Sequence, residues 1–263
     1  MRIGFLGFGN MAQAIADGLL AGQEATTCQG SKPWELAATA LHLDKLEKNC
    51  QVRGMRAFPY AADLASWSDL LILAVKPWQL ADILPALADK LEGIILVNIA
   101  AGKGFADIEA LLPGTAHITA LPNLPVAARQ GLIIAEEKHS LSPQQLSSFE
   151  EVCIQIGELV FLPPDQFSVG ATISGCGPAF AAMYVEALAD AGVKYGLKRE
   201  IALSLAAKML EGSGKLLATG RHPGVVKDQV CSPGGTTIRG VLALEHAGFR
   251  AAVAAAIDAI EGQ

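Results

Sequence analysis

Two short stretches of this chain combine residue types and spacing suited to chemistry. The first is Gly7-Phe8-Gly9-Asn10-Met11-Ala12, a G-x-G-x-x-A pattern that directly follows the apolar run Arg2 to Leu6 and opens a helical one. In that context the first glycine permits a tight turn and the second lets backbone approach a pyrophosphate. Ala12 is small enough for close packing of helix on strand. Gly7, Phe8, Gly9, Asn10 and Met11 are therefore expected to hold a dinucleotide, with unpaired N–H groups at the helix start facing the anion. The second stretch is Ser232-Pro233-Gly234-Gly235-Thr236-Thr237, which interrupts an alanine-rich helical region. Its glycines and hydroxyls fit an anion-binding helix start and fit a plain capped one equally well.

The end of the second strand selects the dinucleotide. An acid about 20 residues beyond the glycines binds the ribose 2′-hydroxyl of NAD. The stretch Cys28 to Pro33 reads CQGSKP and holds no acid. Ser31 and Lys32 supply a hydroxyl and an ammonium, which suit a 2′-phosphate, so NADP(H) is the expected cofactor and NAD(H) the second candidate. Two more loops follow strands, Ala74-Val75-Lys76-Pro77 and Ala100-Ala101-Gly102. Ligands of open α/β sheets bind at that edge, so both are expected at the cofactor. Lys76 has three uses open to it: catalysis, a phosphate contact, or capping of its loop. Asn123, within LPNLP, either hydrogen-bonds a carboxamide or its own turn.

Strands and helices must position these loops. Arg2 to Leu6, Ala25 to Gln29, Gln51 to Ala57, Leu70 to Val75, Ile94 to Ile99, His117 to Leu121 and Gly131 to Ala135 read as strands. Met11 to Leu20 has helical spacing, and Pro33 suits the first turn of a second helix. Strands alternating with helices predict a Rossmann-type, doubly wound α/β sheet. After Leu162 the texture changes at Pro163-Pro164, and apolar helical patterns follow over Pro178 to Tyr195, Arg199 to Thr219 and Gly235 to the end. The expected organisation is a dinucleotide-binding domain over 1–162 and an all-helical domain over 163–263. Helices apolar on most faces must be buried, which predicts a dimerisation role for the second domain.

Composition narrows the class. Half of the 263 residues are hydrophobic, only 17% are charged, and the net charge is −6. An acidic chain without a basic run disfavours nucleic acid. No apolar run is long enough to span a bilayer. The first sixteen residues have a weak signal-peptide look, but Gly4, Gly7 and Gly9 favour a buried strand running into a turn. The five cysteines form no C-x-x-C pair and the histidines lack ligand spacing, so neither a disulfide framework nor a metal site is expected, and a reducing cytoplasm fits.

With these motifs in view, the chain resembles the Δ1-pyrroline-5-carboxylate reductases over nearly its whole length. The specific parts are GFGNMA, AVKP, AAG, LPN, SGCGPAF, and His222-Pro223 followed by VCSPGGTTIRGVLALE. The resemblance implies NAD(P)H-dependent reduction of a cyclic imine, 1-pyrroline-5-carboxylate, to L-proline. It implies a small imino-acid substrate and a homodimer or a larger assembly of dimers, in which the substrate loop reaches the partner's cofactor; in a monomer the helical domain would instead fold back over its own sheet edge. Ser232, Gly234, Gly235, Thr236 and Thr237 then become the carboxylate cradle, and Thr237 the residue whose hydroxyl faces the imine nitrogen. Two positions depart from the family pattern: Cys176 stands where a serine is common, and Ala61 near a cofactor-binding asparagine. The β-hydroxyacid dehydrogenases resemble the first half, but they require a lysine after a Gly-x-Gly in the interdomain helix. Here Gly175-Cys176-Gly177 is followed by Pro178 to Met183 with no lysine.

Overall fold

A computed structural model of the protein describes residues 1–26 and 34–262. The chain divides into two compact units, Met1–Cys176 and Gly177–Gln263. The first opens with β1 (Arg2–Leu6), α1 (Asn10–Thr26), β2 (Glu35–Thr39), α2 (Leu43–Val52), β3 (Arg56–Ala57), α3 (Ala61–Trp67) and β4 (Leu70–Leu73). It continues with α4 (Leu80–Ile83), β5 (Ile95–Asn98), α5 (Phe105–Leu111), β6 (His117–Pro122), β7 (Gly131–Glu136), α6 (Pro143–Ile156) and β8 (Gly157–Leu162). A long helix, α7 (Pro164–Lys194), runs from the first unit into the second.

The eight strands form one sheet in the order β3-β2-β1-β4-β5-β6-β7-β8. The first six have the strand order of a doubly wound dinucleotide-binding fold. All neighbours are parallel except β6 and β7, which are antiparallel. Successive side chains alternate between faces, so Ile3, Phe5, Leu70 and Ile72 enter one core cluster and Leu6, Leu71 and Leu73 the other. Burial on both faces is why β4 and β5 read as unbroken apolar runs. At the start of the sheet Arg2 pairs with Asp69 at 2.7 Å. Hydrogen bonding from the Arg2 guanidinium holds the Asp69 carboxyl below its ordinary range.

The expected doubly wound sheet followed by helices is the observed architecture, but several local expectations are corrected. The second strand was expected at Ala25 to Gln29, but Ala25 and Thr26 belong to α1, Thr27 to Gln29 lie outside the described residues, and β2 lies at Glu35–Thr39, in register with β1 from Arg2↔Glu35 to Leu6↔Thr39. Glu-Leu-Ala-Ala-Thr has weak strand character by itself. It becomes a strand because Leu36, Ala37 and Ala38 are buried between β1 and β3. The second helix begins at Leu43; Pro33 lies outside the described residues, as do Ser31 and Lys32. The third strand shrinks to Arg56–Ala57, because Gln51 and Val52 complete α2 and Gly54 turns the chain at φ +63°. A last strand, β8, was not anticipated; it is held by parallel pairing with β7.

The helical half also differs in detail. The composition change at Pro163-Pro164 coincides with the start of α7, while the packing division falls inside that helix at Cys176–Gly177. Pro178 is therefore an interior residue, not a helix start. Proline has no N–H, so the carbonyl of Ser174 loses its helical donor. Asn123 replaces it: its Nδ2 donates to Ser174 O at 3.1 Å. The second unit continues with α8 (Arg199–Leu217), α9 (Pro223–Val230), α10 (Thr236–His246) and α11 (Phe249–Glu261). The last apolar pattern is thus two helices, broken at Gly248 with φ +76°. Ala189, Ala202 and Ala206 are buried, but no residue of α9, α10 or α11 is. Met183, Leu205 and Leu242 are each more than half exposed, at 68%, 58% and 61%.

Candidate active site

One candidate region lies at the carboxyl ends of β1 and β4, where the strand order reverses. Gly7 turns the chain at φ +93°, a conformation that favours glycine. Its N–H donates to Thr39 O at 3.0 Å, and Ala74 N donates to Leu6 O at 2.8 Å, so the loops after β1, β2 and β4 are tied together. A Cβ at Gly7 would stand 2.7 Å from Ala74 O. Gly9 precedes α1 and accepts its first backbone hydrogen bond, from Gln13 N at 3.0 Å. Gln13 Nε2 donates to Phe8 O at 3.1 Å. Phe8 is buried edge-on against Phe5, with ring centroids 5.8 Å apart, so it anchors the loop from below. A Cβ at Gly9, by contrast, would meet no heavy atom within 4 Å. The backbone of the turn is open there.

A cleft of about 600 Å³ covers this turn. Gly7, Phe8 and Gly9 line it, with Ala74, Val75 and Lys76 from the loop after β4. Asn10 and Met11 open α1 directly behind. Pro77 starts a 3₁₀ turn, and Gln79 Oε1 accepts from Lys76 N at 3.0 Å, which fixes the loop while leaving the Lys76 side chain at the cleft. The rest of the wall includes residues not expected from the sequence: Thr39 at the end of β2, Ala40 to His42 after it, and Leu43, Lys45 and Asn49 on α2. Only the true position of β2 reveals them. Ala61, the departure from the family pattern, also lines this cleft. The residues present fit a dinucleotide: a backbone cradle without obstruction, two lysines and, among the described residues, no carboxylate on the lining.

Further along the same sheet edge, Ala100, Ala101 and Gly102 follow β5 without lining the cleft. Asn98, fully buried at the strand end, shapes this loop. Its Oδ1 accepts from Ala100 N at 3.1 Å, and its Nδ2 donates to Lys103 O at 2.7 Å and Thr119 Oγ1 at 3.2 Å. Lys103 bonds Asp107 at 2.9 Å and, with the Gly104 N–H, holds that carboxyl below its usual range. Sequence reading missed Asn98; a lone polar residue closing an apolar strand was the available signal. Asn98→Ala leaves a buried N–H and carbonyl unpaired. Stability is expected to fall by about 2–3 kcal/mol, seen as a lower denaturation midpoint at unchanged m. Asn123, at the end of β6, has both ends of its amide engaged: Oδ1 accepts from Leu132 N at 2.8 Å while Nδ2 serves Ser174.

A separate candidate region lies in the helical unit. Gly235 N donates to Ser232 O at 3.0 Å across Pro233 and Gly234, and Gly234 sits at φ +68°. Proline then a left-handed glycine is the pattern of a type II turn. Gly235 is the N-cap of α10 and offers no side chain, so the N–H groups of Thr236, Thr237 and Ile238 have no side-chain cap. Ser232, Thr236 and Thr237 are exposed around them. The preceding helix is different: His222 caps α9 by accepting from Gly224 N at 3.1 Å. Ser232, Gly234, Gly235, Thr236 and Thr237 thus lie in one turn at a helix start whose first N–H groups have no side-chain cap.

Fold and cleft define the class, a Rossmann-type dinucleotide-dependent oxidoreductase carrying a helical second unit. Comparison with known proteins is more specific. A family model described as pyrroline-5-carboxylate reductase dimerisation matches residues 164–262, and one described as NADP oxidoreductase coenzyme F420-dependent matches residues 2–102. The pyrroline-5-carboxylate reductase of Treponema pallidum is 42% identical, with 98% of each chain covered. That of Escherichia coli is 34% identical over 96% of this chain and 93% of its own. The structure of the Streptococcus pyogenes enzyme superimposes with a TM-score of 0.86 at 27% identity, covering 99% of this chain and 96% of that one. The Plasmodium falciparum pyrroline carboxylate reductase, solved with NADP bound, shares the fold at a TM-score of 0.87 and 24% identity, over 99% and 95%. This chain belongs to the pyrroline-5-carboxylate reductase family.

Proposed function

We propose that the protein reduces 1-pyrroline-5-carboxylate to L-proline with NADPH, NADH being the second candidate donor. The observation that carries the reading is the presence, in one chain of this family, of an acid-free dinucleotide cleft and an uncapped, glycine-opened helix start. NADPH, when bound, supplies a hydride to the imine carbon. Gly7 to Met11 and Ala74 to Pro77 hold it, and Ala100 to Gly102 and Asn123 shape the neighbouring sheet edge. Ser232 and the N–H groups of Gly235, Thr236 and Thr237 bind the substrate carboxylate. Thr237, second residue of α10, offers its hydroxyl to the imine nitrogen. A threonine is a weak acid, so its part is orientation and polarisation; the proton arrives on the substrate or through water.

In this reading residues 163–263 bind substrate and pair two copies of the chain. The exposed Met183, Leu205 and Leu242, and three helices without a buried residue, support a homodimer or a larger assembly of dimers. Cys50, Cys153, Cys176 and Cys231 are free thiols, and burial raises the pKa of the first two, which suits a cytoplasmic protein. Among the described residues no single helix is long and apolar enough to cross a membrane.

The direct test is NADPH oxidation with 1-pyrroline-5-carboxylate. Turnover to proline is expected, and a folded, NADPH-binding protein without turnover overturns the proposal. Thr237→Ala is expected to lower kcat about tenfold, the equivalent of one hydrogen bond of about 1.4 kcal/mol. Thr237→Ser should restore most of it. An unchanged kcat removes Thr237 from the chemistry.

A further inference from the structure

The cleft holds more positive charge than its surroundings explain. The protein carries a net charge of −6, yet among the described residues no Asp or Glu lines the cleft, while Lys45, Lys76 and His42 do. Elsewhere among the described residues of the first unit Arg2, Arg53, Lys90 and Lys103 are ion-paired, while Lys48, Arg56, Arg129 and Lys138, none of which lines the cleft, are not. Among the described residues neither Lys45 nor Lys76 has an ion pair. The two lysines also stand on different sides of the switch point. Lys76 follows β4, on one side of β1; Lys45 and His42 follow β2, on the other. In this fold the β2 side is where the adenosine ribose is read. An acid ending β2 would select a free 2′-hydroxyl. Here β2 ends in Thr39 and runs into Ala40, Leu41 and His42, all neutral or cationic and all on the cleft wall. The first acid, Asp44, is not on that wall.

We infer that Lys45, with His42 beside it, is the element that selects a 2′-phosphorylated adenosine in this cleft. The inference rests on reading the cleft as the dinucleotide site, and it assigns the two cations separate partners. Lys76 stands on the β4 side with the glycine turn, where the pyrophosphate lies. Lys45 is left for one further phosphate. A lysine serves such a group as a mobile point charge without needing the planar geometry of arginine. Leu41, 84% exposed at the same loop, adds an apolar surface beside the polar pair.

Fragments that carry only the adenosine half test this without requiring turnover. Dissociation constants of adenosine 2′,5′-bisphosphate and adenosine 5′-monophosphate are measured by calorimetry on the full chain, as wild type and as Lys45→Ala, Lys45→Glu, His42→Ala and Lys32→Ala. Wild type should prefer the bisphosphate by about tenfold or more, as expected for one charge-assisted phosphate contact. Lys45→Ala should remove most of that preference, Lys45→Glu should abolish or invert it, and His42→Ala should reduce it by less. Wild type without preference overturns the inference. So does an unchanged ratio in Lys45→Ala, or a ratio lost in Lys32→Ala and kept in Lys45→Ala. Failure of the wild type to reduce the imine would sink the proposed function and leave these fragment ratios readable.

Discussion

Gly9→Val is expected to give a folded protein whose Kd for NADPH is raised about 100-fold or more, close to 2.7 kcal/mol. The prediction follows from what surrounds the residue. Gly9 has no left-handed φ, and a Cβ there meets no atom of the protein within 4 Å. The free chain therefore accommodates a side chain at a cost of about 1 kcal/mol, that of losing a favourable N-cap residue. The same empty space is the cleft wall against which the pyrophosphate must lie, so the valine methyls take the ligand's place. Gly7→Ala acts differently. Its methyl would stand 2.7 Å from Ala74 O, on a residue at φ +93°, so strain and steric conflict reach the β1–β4 junction itself. Fluorescence titration of NADPH beside thermal melts separates the two. Gly9→Val should lose binding and keep most of its stability, and Gly7→Ala should lose both. NADPH binding unchanged in Gly9→Val would mean that the dinucleotide does not cross this turn.

That contrast also shows why the glycine motif could be read from sequence while its neighbours could not. Gly7 and Gly9 act through backbone geometry that depends on a strand before and a helix after, both local and both visible as pattern. The clearest strands, β1, β4 and β5, are buried on both faces and announce themselves as apolar runs. β2 does not. Two of its five residues are alanine, and it exists because β1 and β3 flank it. A helix-favouring stretch around Ala25 hid its true place, so the cofactor-selecting residues were expected at Ser31 and Lys32, which lie outside the described residues, while the loop after β2 begins at Ala40. Asn123 and Pro178 teach the same point over a longer range. Pro178 read as a helix start, because a proline inside a helix leaves a carbonyl without a donor. The donor comes from a side chain 51 residues before Ser174, and no local pattern encodes that. The helix start at Gly235 was legible because its peculiarity is compositional, two glycines and three hydroxyls in an apolar background.

Gly235→Ala is the second large effect, expected as a fall in kcat/KM for 1-pyrroline-5-carboxylate of about 100-fold, carried mainly by KM. The backbone itself permits alanine: φ −70° and ψ 177° are ordinary extended values. The obstacle is Ser232, whose Oγ would collide with the new Cβ and whose carbonyl oxygen lies 3.1 Å from it. A serine hydroxyl moves by rotation about one bond, so the fold survives and Ser232 gives way. In doing so it leaves the cradle, and the added methyl narrows the approach to the N–H groups that open α10. Two hydrogen bonds to a charged carboxylate are weakened together, each worth about 1.5–3 kcal/mol, and partial loss of both reaches about 2.7 kcal/mol, or 100-fold. Ser232→Ala removes one of the two without adding bulk and should cost about tenfold. Gly234→Ala distinguishes binding from folding: it meets no atom within 4 Å but sits at φ +68°, so it should cost about 1–2 kcal/mol of stability and little of KM. If Gly235→Ala instead lowers the melting temperature with KM unchanged, the glycine serves the turn alone, and the carboxylate is held elsewhere.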